Sequence, residues 1–238
     1  MVLPGAGFDV VPTDCLAALL KQELPGAREL VLAFEAGGGA SPGTARTSVE
    51  GLGKGGRVRR AGVLVSVPLA YKTRTFVRDG KTRTAMTIPW GDVYTAYVST
   101  GIADIEVYMA ASPATIAGAR RLRLLQPLLR SGLAQRFMKF RVARNVRGPD
   151  DARRAATGCH IWGEVRDAAG CEARMELDTP NGYELTVTAA LGIVSHLLEQ
   201  RVPGGYYTPS QLMGARYVLG LPGVNSSSSM MLPSQSRP

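Results

Sequence analysis

The stretch Leu3-Pro4-Gly5-Ala6-Gly7-Phe8-Asp9-Val10-Val11-Pro12-Thr13-Asp14 constrains the rest of the chain more than any other. Two glycines free the backbone for positive φ, and Pro12 biases Val11 towards an extended geometry. Thr13 or Asp14 is placed to cap a helix running Cys15-Leu16-Ala17-Ala18-Leu19-Leu20. A turn this dense at the fifth residue implies a loop delivered from a preceding strand that these residues do not include. An ordinary capped helix near a terminus fits the same spacing.

With 238 residues the chain can bury a real core, as one large domain or two small ones. At 45% hydrophobic and 20% charged it reads as soluble and globular. No apolar run approaches the ~20 residues of a membrane span, and the first residues lack the basic and apolar regions of a signal peptide, so a cytoplasmic location is expected. The net charge of +9 suits an anionic partner: a phosphate-bearing cofactor, an acyl-carrier surface, nucleic acid or an anionic membrane. Nucleic acid ranks last, because no recognisable module accompanies the charge.

Cys15, Cys159 and Cys171 are an odd number of thiols and are expected reduced. If residues 168–169 tip a hairpin, Cys159 faces Asp178 and Cys171 faces Arg166. The two thiols are then roughly 23 Å apart, too far for a disulfide.

The run Glu29-Leu30-Val31-Leu32-Ala33-Phe34-Glu35 reads as a strand, followed by a Gly37-Gly38-Gly39 loop. Ser41-Pro42-Gly43-Thr44 opens a helix to Leu52, a terminus of small residues suited to an anion or carboxylate. Hairpins follow at residues 57–67 around Ala61-Gly62 and at 72–88 around Arg78-Asp79-Gly80-Lys81. Pro89-Trp90-Gly91-Asp92 stops that strand, with Asp92 placed to cap a helix, and Ile105-Glu106-Val107-Tyr108-Met109 is another strand. A last hairpin spans 159–177, a long helix 183–200, and Thr208 with Pro209 starts the final helix. The fold class is therefore α+β, a mixed, largely antiparallel sheet with helices covering one face. Residues 15–224 form that domain, and 225–238, rich in serine and without periodicity, read as a disordered tail.

Residues 112–147 carry nine cations and no acid, interleaved with leucine and phenylalanine and broken by Pro127 and Gly132. The pattern suits a helical hairpin covering the sheet with its arginines in water, or a basic amphipathic helix on an acyl or anionic membrane surface.

Gly51-Leu52-Gly53-Lys54-Gly55-Gly56 matches G-x-G-x-x-G but closes a helix instead of opening one, so it is a C-cap and turn. His160 and His196 are isolated, Cys159-His160 lacks a second pair, and no metal site is expected. There is no G-x-S-x-G.

Several stretches together resemble the saccharopine dehydrogenase-like oxidoreductases, especially the branch with the bacterial trans-acting enoyl reductases. They are Gly7 to Asp14, Gly43-Thr44-Ala45, Pro89-Trp90-Gly91-Asp92, and Asn181-Gly182-Tyr183 through Pro203-Gly204-Gly205 to Thr208-Pro209. The resemblance implies a two-part plan, a Rossmann half followed by a substrate half on a mixed sheet. Residues 1–14 then form the crossover from a nucleotide-binding half outside this sequence. It further implies NADP or NAD as cofactor of a complete homologue, with none expected for this chain alone, and a small-molecule or acyl substrate. Gly7, Phe8, Asp9 and Pro12 would border the nicotinamide end. Gly43, Thr44, Trp90, Asp92, Gly205 and Thr208 would wall the substrate, with Lys72 or Arg74 as donors. No catalytic residue is assigned. A homo-oligomer and a peripheral membrane contact stay open.

Overall fold

Strand β1 (Ala27–Ala36) is the axis of the structure, a computed structural model that describes residues 1–78 and 80–229. Its side chains alternate between two buried faces: Leu30, Leu32 and Phe34 join the main core, and Val31 and Ala33 a smaller cluster behind it. A strand covered on both sides reads as an unbroken apolar run, which this one does. It pairs in parallel with β6 (Asp104–Ala110) and antiparallel with β7 (Cys159–Asp167). The strand order is β3-β2-β6-β1-β7-β8-β9, with β2 Gly56–Arg60, β3 Val63–Val67, β8 Glu172–Thr179 and β9 Asn225–Ser229. A hairpin of β4 (Thr73–Arg78) and β5 (Lys81–Thr87) joins through β5 to β6. Among the described residues only the β1–β6 ladder is parallel, so the sheet is mixed and largely antiparallel, as expected.

Helix α1 (Val11–Glu23) lies across one face of the sheet, where Leu16 and Leu20 are fully buried. Gly163 of β7 makes the approach close: a Cβ there would lie 2.5 Å from Leu20 Cδ1 and 2.9 Å from Leu16 Cδ2. The same core takes residues from α3 (Asp92–Thr100), α8 (Gly182–Glu199) and a 3-10 helix at Ala215–Gly220 that follows α9 (Pro209–Met213). On the other face Phe76 of β4 stacks on Trp162 of β7, with ring centroids 4.9 Å apart. Charged pairs surround that contact. Glu106 holds Lys72 at 2.7 Å and also meets Arg60, while Glu164 bridges Arg74 at 3.3 Å and Arg174 at 3.1 Å.

The remaining helices are α2 (Pro42–Leu52), α4 (Pro113–Leu122), α5 (Gln126–Leu129), α6 (Gly132–Asn145) and α7 (Asp151–Ala155). Residues 112–147 do not cover the sheet, contrary to one of the two expectations for them. Helix α6 packs along α2 and α5, and no residue of the segment belongs to either core cluster. The side of α6 that carries Ala134, Gln135, Met138 and Val142 is half-buried, and it is spent on α2 and α5 instead of on the strands. Among the described residues no helix is long and apolar enough to cross a membrane.

Four local expectations are corrected. Helix α1 starts at Val11 without a side-chain cap, so Thr13 and Asp14 lie inside it; Pro12 in the first turn forfeits no helical hydrogen bond. Asp92 is the first helical residue of α3, not its cap; Gly91 is. The β7–β8 register is shifted by one, pairing Cys159 with Thr179 and Arg166 with Glu172. The turn holds three residues instead of two, with Gly170 at φ 83°. Residues 225–229, placed in the disordered tail, form β9 on the edge of β8 through backbone pairing that serine supplies as well as valine. Residues 230–238 of that tail, and Asp79 of the β4–β5 turn, lie outside the described residues.

Candidate functional site

The N-terminal loop folds back on itself before α1 begins. Gly5, at φ 75°, accepts the Val10 N–H at 3.1 Å, and Gly7 accepts that of Val11 at 2.9 Å. The loop then seats on the first turns of α8. A Cβ on Gly7 would lie 2.6 Å from Thr186 Cγ2, and Phe8 N–H donates to Thr186 Oγ1 at 3.0 Å. The Phe8 ring covers Gly182 and meets Phe34 edge-on at 5.5 Å; Phe34 in turn lies 4.8 Å from Trp90. Glycine is also required at Gly91, where a Cβ would lie 2.8 Å from Asp9 Oδ1. Asp9 faces solvent on one side, yet the protein crowded around it raises its pKa, against a lowering hydrogen bond from the Gly91 backbone.

Tyr183 ties this loop to the start of α2. The Ser41 N–H donates to its hydroxyl at 2.6 Å, and Thr44 Oγ1 lies 3.3 Å away. Ser41 caps α2 by accepting the Thr44 N–H at 3.1 Å, and Asn181 caps α8 by accepting the Tyr183 N–H at 3.1 Å. Burial raises the Tyr183 pKa, but hydrogen bonds from Ser41 and Thr44 outweigh it and hold the phenol below its ordinary value. A phenol poised this way accepts one backbone N–H and keeps its own proton to donate.

Gly7, Phe8, Asp9, Trp90, Gly43 and Thr44 are thus joined through the N-terminus of α8. Gly43, Thr44 and Asp9 are exposed and Trp90 is half-buried, with its Nε1 buried and unpartnered. Chemically, the group offers a carbonyl or carboxylate the start of α2 and the Tyr183 hydroxyl, and an apolar chain the rings of Phe8 and Trp90. Tyr183, Asn181 and Thr186 were not assigned roles from the sequence. They lie in or beside the Asn-Gly-Tyr motif, but their partners are 142, 24 and 178 residues away.

The other assigned residues sit elsewhere. Pro12 is buried in α1, where it can touch no cofactor. Asp92 and Thr208 are fully buried in a polar knot between α1, α3 and α9. Thr13 Oγ1 donates to Asp92 Oδ2 at 2.7 Å, Ser99 and Thr208 hydroxyls are 2.6 Å apart, and Asp14 accepts the Ser210 N–H at 2.8 Å. Asp14 therefore helps satisfy the start of α9 instead of capping its own helix. Burial drives the Asp92 pKa well above the ordinary value of 3.8, Asp14 and Asp9 push the same way, and the Thr13 hydrogen bond opposes them. Gly205 is exposed and accepts the Val2 N–H at 2.8 Å. Lys72 and Arg74 are committed to carboxylates on the far face of the sheet. A cavity of about 690 Å³ opens there between Phe76, Trp162, Arg74, Arg166 and Arg174, away from the α8 terminus, and its charges are already paired.

The described residues show no dinucleotide fingerprint in its usual strand-to-helix setting. Among those described, the G-x-G-x-x-G run closes α2 and enters β2, and a single parallel ladder is no doubly wound sheet. The Gly37-Gly38-Gly39 loop does join β1 to α2, but Gly37 and Gly38 are packed on Thr157, Gly158 and Asn181. No group of three or more metal-ligating side chains is found among the described residues.

No protein-family model matches the sequence, and no curated protein matches it significantly. Solved structures do match. Among 19 chains is saccharopine dehydrogenase (L-Glu forming) from Saccharomyces cerevisiae, at a TM-score of 0.55 and 9% identity. The superposition covers 97% of this chain and 74% of that one, and it shows a saccharopine dehydrogenase-like fold.

Proposed function

We propose that this chain is the substrate-side portion of an NAD(P)-dependent oxidoreductase of the saccharopine dehydrogenase-like kind, within the trans-acting enoyl reductase-like branch. The cofactor is held by protein outside these residues, because nothing described here cradles a pyrophosphate. The fold shared with the yeast enzyme supports the general kind. The order and spacing of the sequence motifs support the branch. One observation carries the reading most of all. The Gly7–Phe8–Asp9 loop and the Ser41–Thr44 cap both bond to the first turns of α8, and Trp90 packs against Phe8, which brings three separated parts of the chain to one helix terminus.

The cofactor, when present, supplies the hydride. These residues hold the acceptor: the apolar part against Phe8 and Trp90, the carbonyl oxygen towards Tyr183 and the start of α2. Tyr183 donates to that oxygen as negative charge develops. Asp92 and Thr208 serve as scaffold. The test is fluorescence titration of the purified chain with NADPH and NADH. No saturable binding tighter than millimolar is expected, and micromolar affinity would overturn the assignment of the cofactor to other residues. In parallel, an enoyl or 2-oxo acyl thioester should perturb the fluorescence of a Trp162→Phe protein, in which Trp90 is the remaining tryptophan. Silence across that series would remove the substrate site.

A further inference from the structure

Helix α6 is mounted with its apolar stripe facing outward. Its inner side is fixed to α2 and α5 by polar contacts: Gln135 Nε2 donates to Val49 O of α2 at 3.1 Å and to Leu129 O of α5 at 2.7 Å, and Lys139 pairs with Glu50 of α2 at 2.6 Å. At about 100° per residue, Leu133, Phe137, Phe140 and Arg144 then share an arc of about 60° on the opposite side. Leu133 is 80% exposed, Phe137 64% and Phe140 56%. Exposed Arg136 and Arg141 flank the stripe, and the Arg144 guanidinium lies 5.2 Å over the Phe140 ring. None of the 14 residues of α6 is buried. Side chains this free form a convex ridge, not a groove.

We propose that this ridge of α6 is a peripheral docking surface for an anionic lipid bilayer, with Leu133, Phe137 and Phe140 entering the headgroup region and the arginines meeting lipid phosphates. Charge selects this occupant: residues 112–147 contain no acidic residue, so a second copy would set like charges face to face. Shape points the same way, because a ridge of phenylalanine and leucine needs no matching pocket in a fluid bilayer. The helix lies along the surface and does not span it.

The full chain is sedimented with vesicles of phosphatidylcholine alone and with added phosphatidylserine, at low and high salt. Binding to the anionic vesicles is expected to fall about tenfold or more at high salt, and to be weak on phosphatidylcholine. Phe137→Ser with Phe140→Ser, and separately Arg136→Glu with Arg141→Glu, should each reduce it about tenfold with an unchanged circular dichroism spectrum. Failure to sediment with anionic vesicles at low salt would overturn the proposal. So would binding that both double variants leave intact, which would place it on another surface. A dimer at low salt dissolved by Phe137→Ser with Phe140→Ser, or capture of an acidic carrier protein without vesicle binding, would assign the ridge to a protein instead.

Discussion

Helices α1 and α6 are 13 and 14 residues long, and each carries seven residues drawn from alanine, valine, leucine, methionine, phenylalanine and cysteine. Nine residues of α1 are buried and none of α6. Apolar content therefore does not decide burial; the placement of charge does. In α1 the first cation is Lys21, so two full turns can press against β7 and α3. In α6 Arg136, Lys139, Arg141 and Arg144 fall on several sides, and each would need a partner if the helix were covered. One helix stabilises the fold, and the other is free to present chemistry to something outside it.

The sharpest way to break that comparison is Leu16→Ala. Leu16 is fully buried between α1 and β7, so the loss should be about 2–5 kcal/mol by urea denaturation. A loss below about 1 kcal/mol would mean that α1 is not packed tightly against the sheet. Gly163→Ala attacks the same contact from the strand. The new methyl would lie 2.5 Å from Leu20 Cδ1, and the side chains must shift, costing about 1–3 kcal/mol.

Asp92→Asn tests the polar knot beneath α1. Its pKa is raised in the fold, so the folded chain keeps a proton that the unfolded chain releases above about 3.8. Stability from this group is full below that pH and is lost as pH rises towards the folded pKa. Asn loses nothing over that range. Its oxygen can accept from Thr13, and its amide takes the place of Oδ1, which has no hydrogen-bond partner. The variant's melting temperature should therefore gain on the parent's as pH rises from about 4 to 8. A constant difference across that range would show Asp92 ionised in the fold.

The strands were legible because their signal is local. Positive φ at Ala61 and Gly62 matches the two-residue turn read between β2 and β3, and the β4–β5 hairpin falls within a residue or two of its sequence bounds. Strand β9 was not legible, since Asn-Ser-Ser-Ser-Ser has no apolar alternation and owes its conformation to the β8 edge. The site divides in the same way. Phe8, Trp90 and Thr44 were singled out from motifs, whereas Tyr183 stands out only through Ser41, whose N–H it meets in the fold. Trp90 and Asp92 were read as one wall, yet α3 starts between them and turns Asp92 into the protein interior. Spacing records that residues are near in sequence; the helix start decides which way each points.

The smallest effect is expected on the ridge of α6. Phe137 is 64% exposed and α6 gives nothing to either core cluster, so Phe137→Ser removes little buried area. Serine is a poorer helix former than alanine but comparable with phenylalanine, so propensity adds nothing large. The change in stability should stay within about 0.5 kcal/mol, against the several lost at Leu16. Measured by the same urea titration, that contrast separates the two roles directly. A loss at Phe137 above about 1 kcal/mol would mean that the ring is packed in solution, and the outward stripe on which bilayer docking depends would not exist.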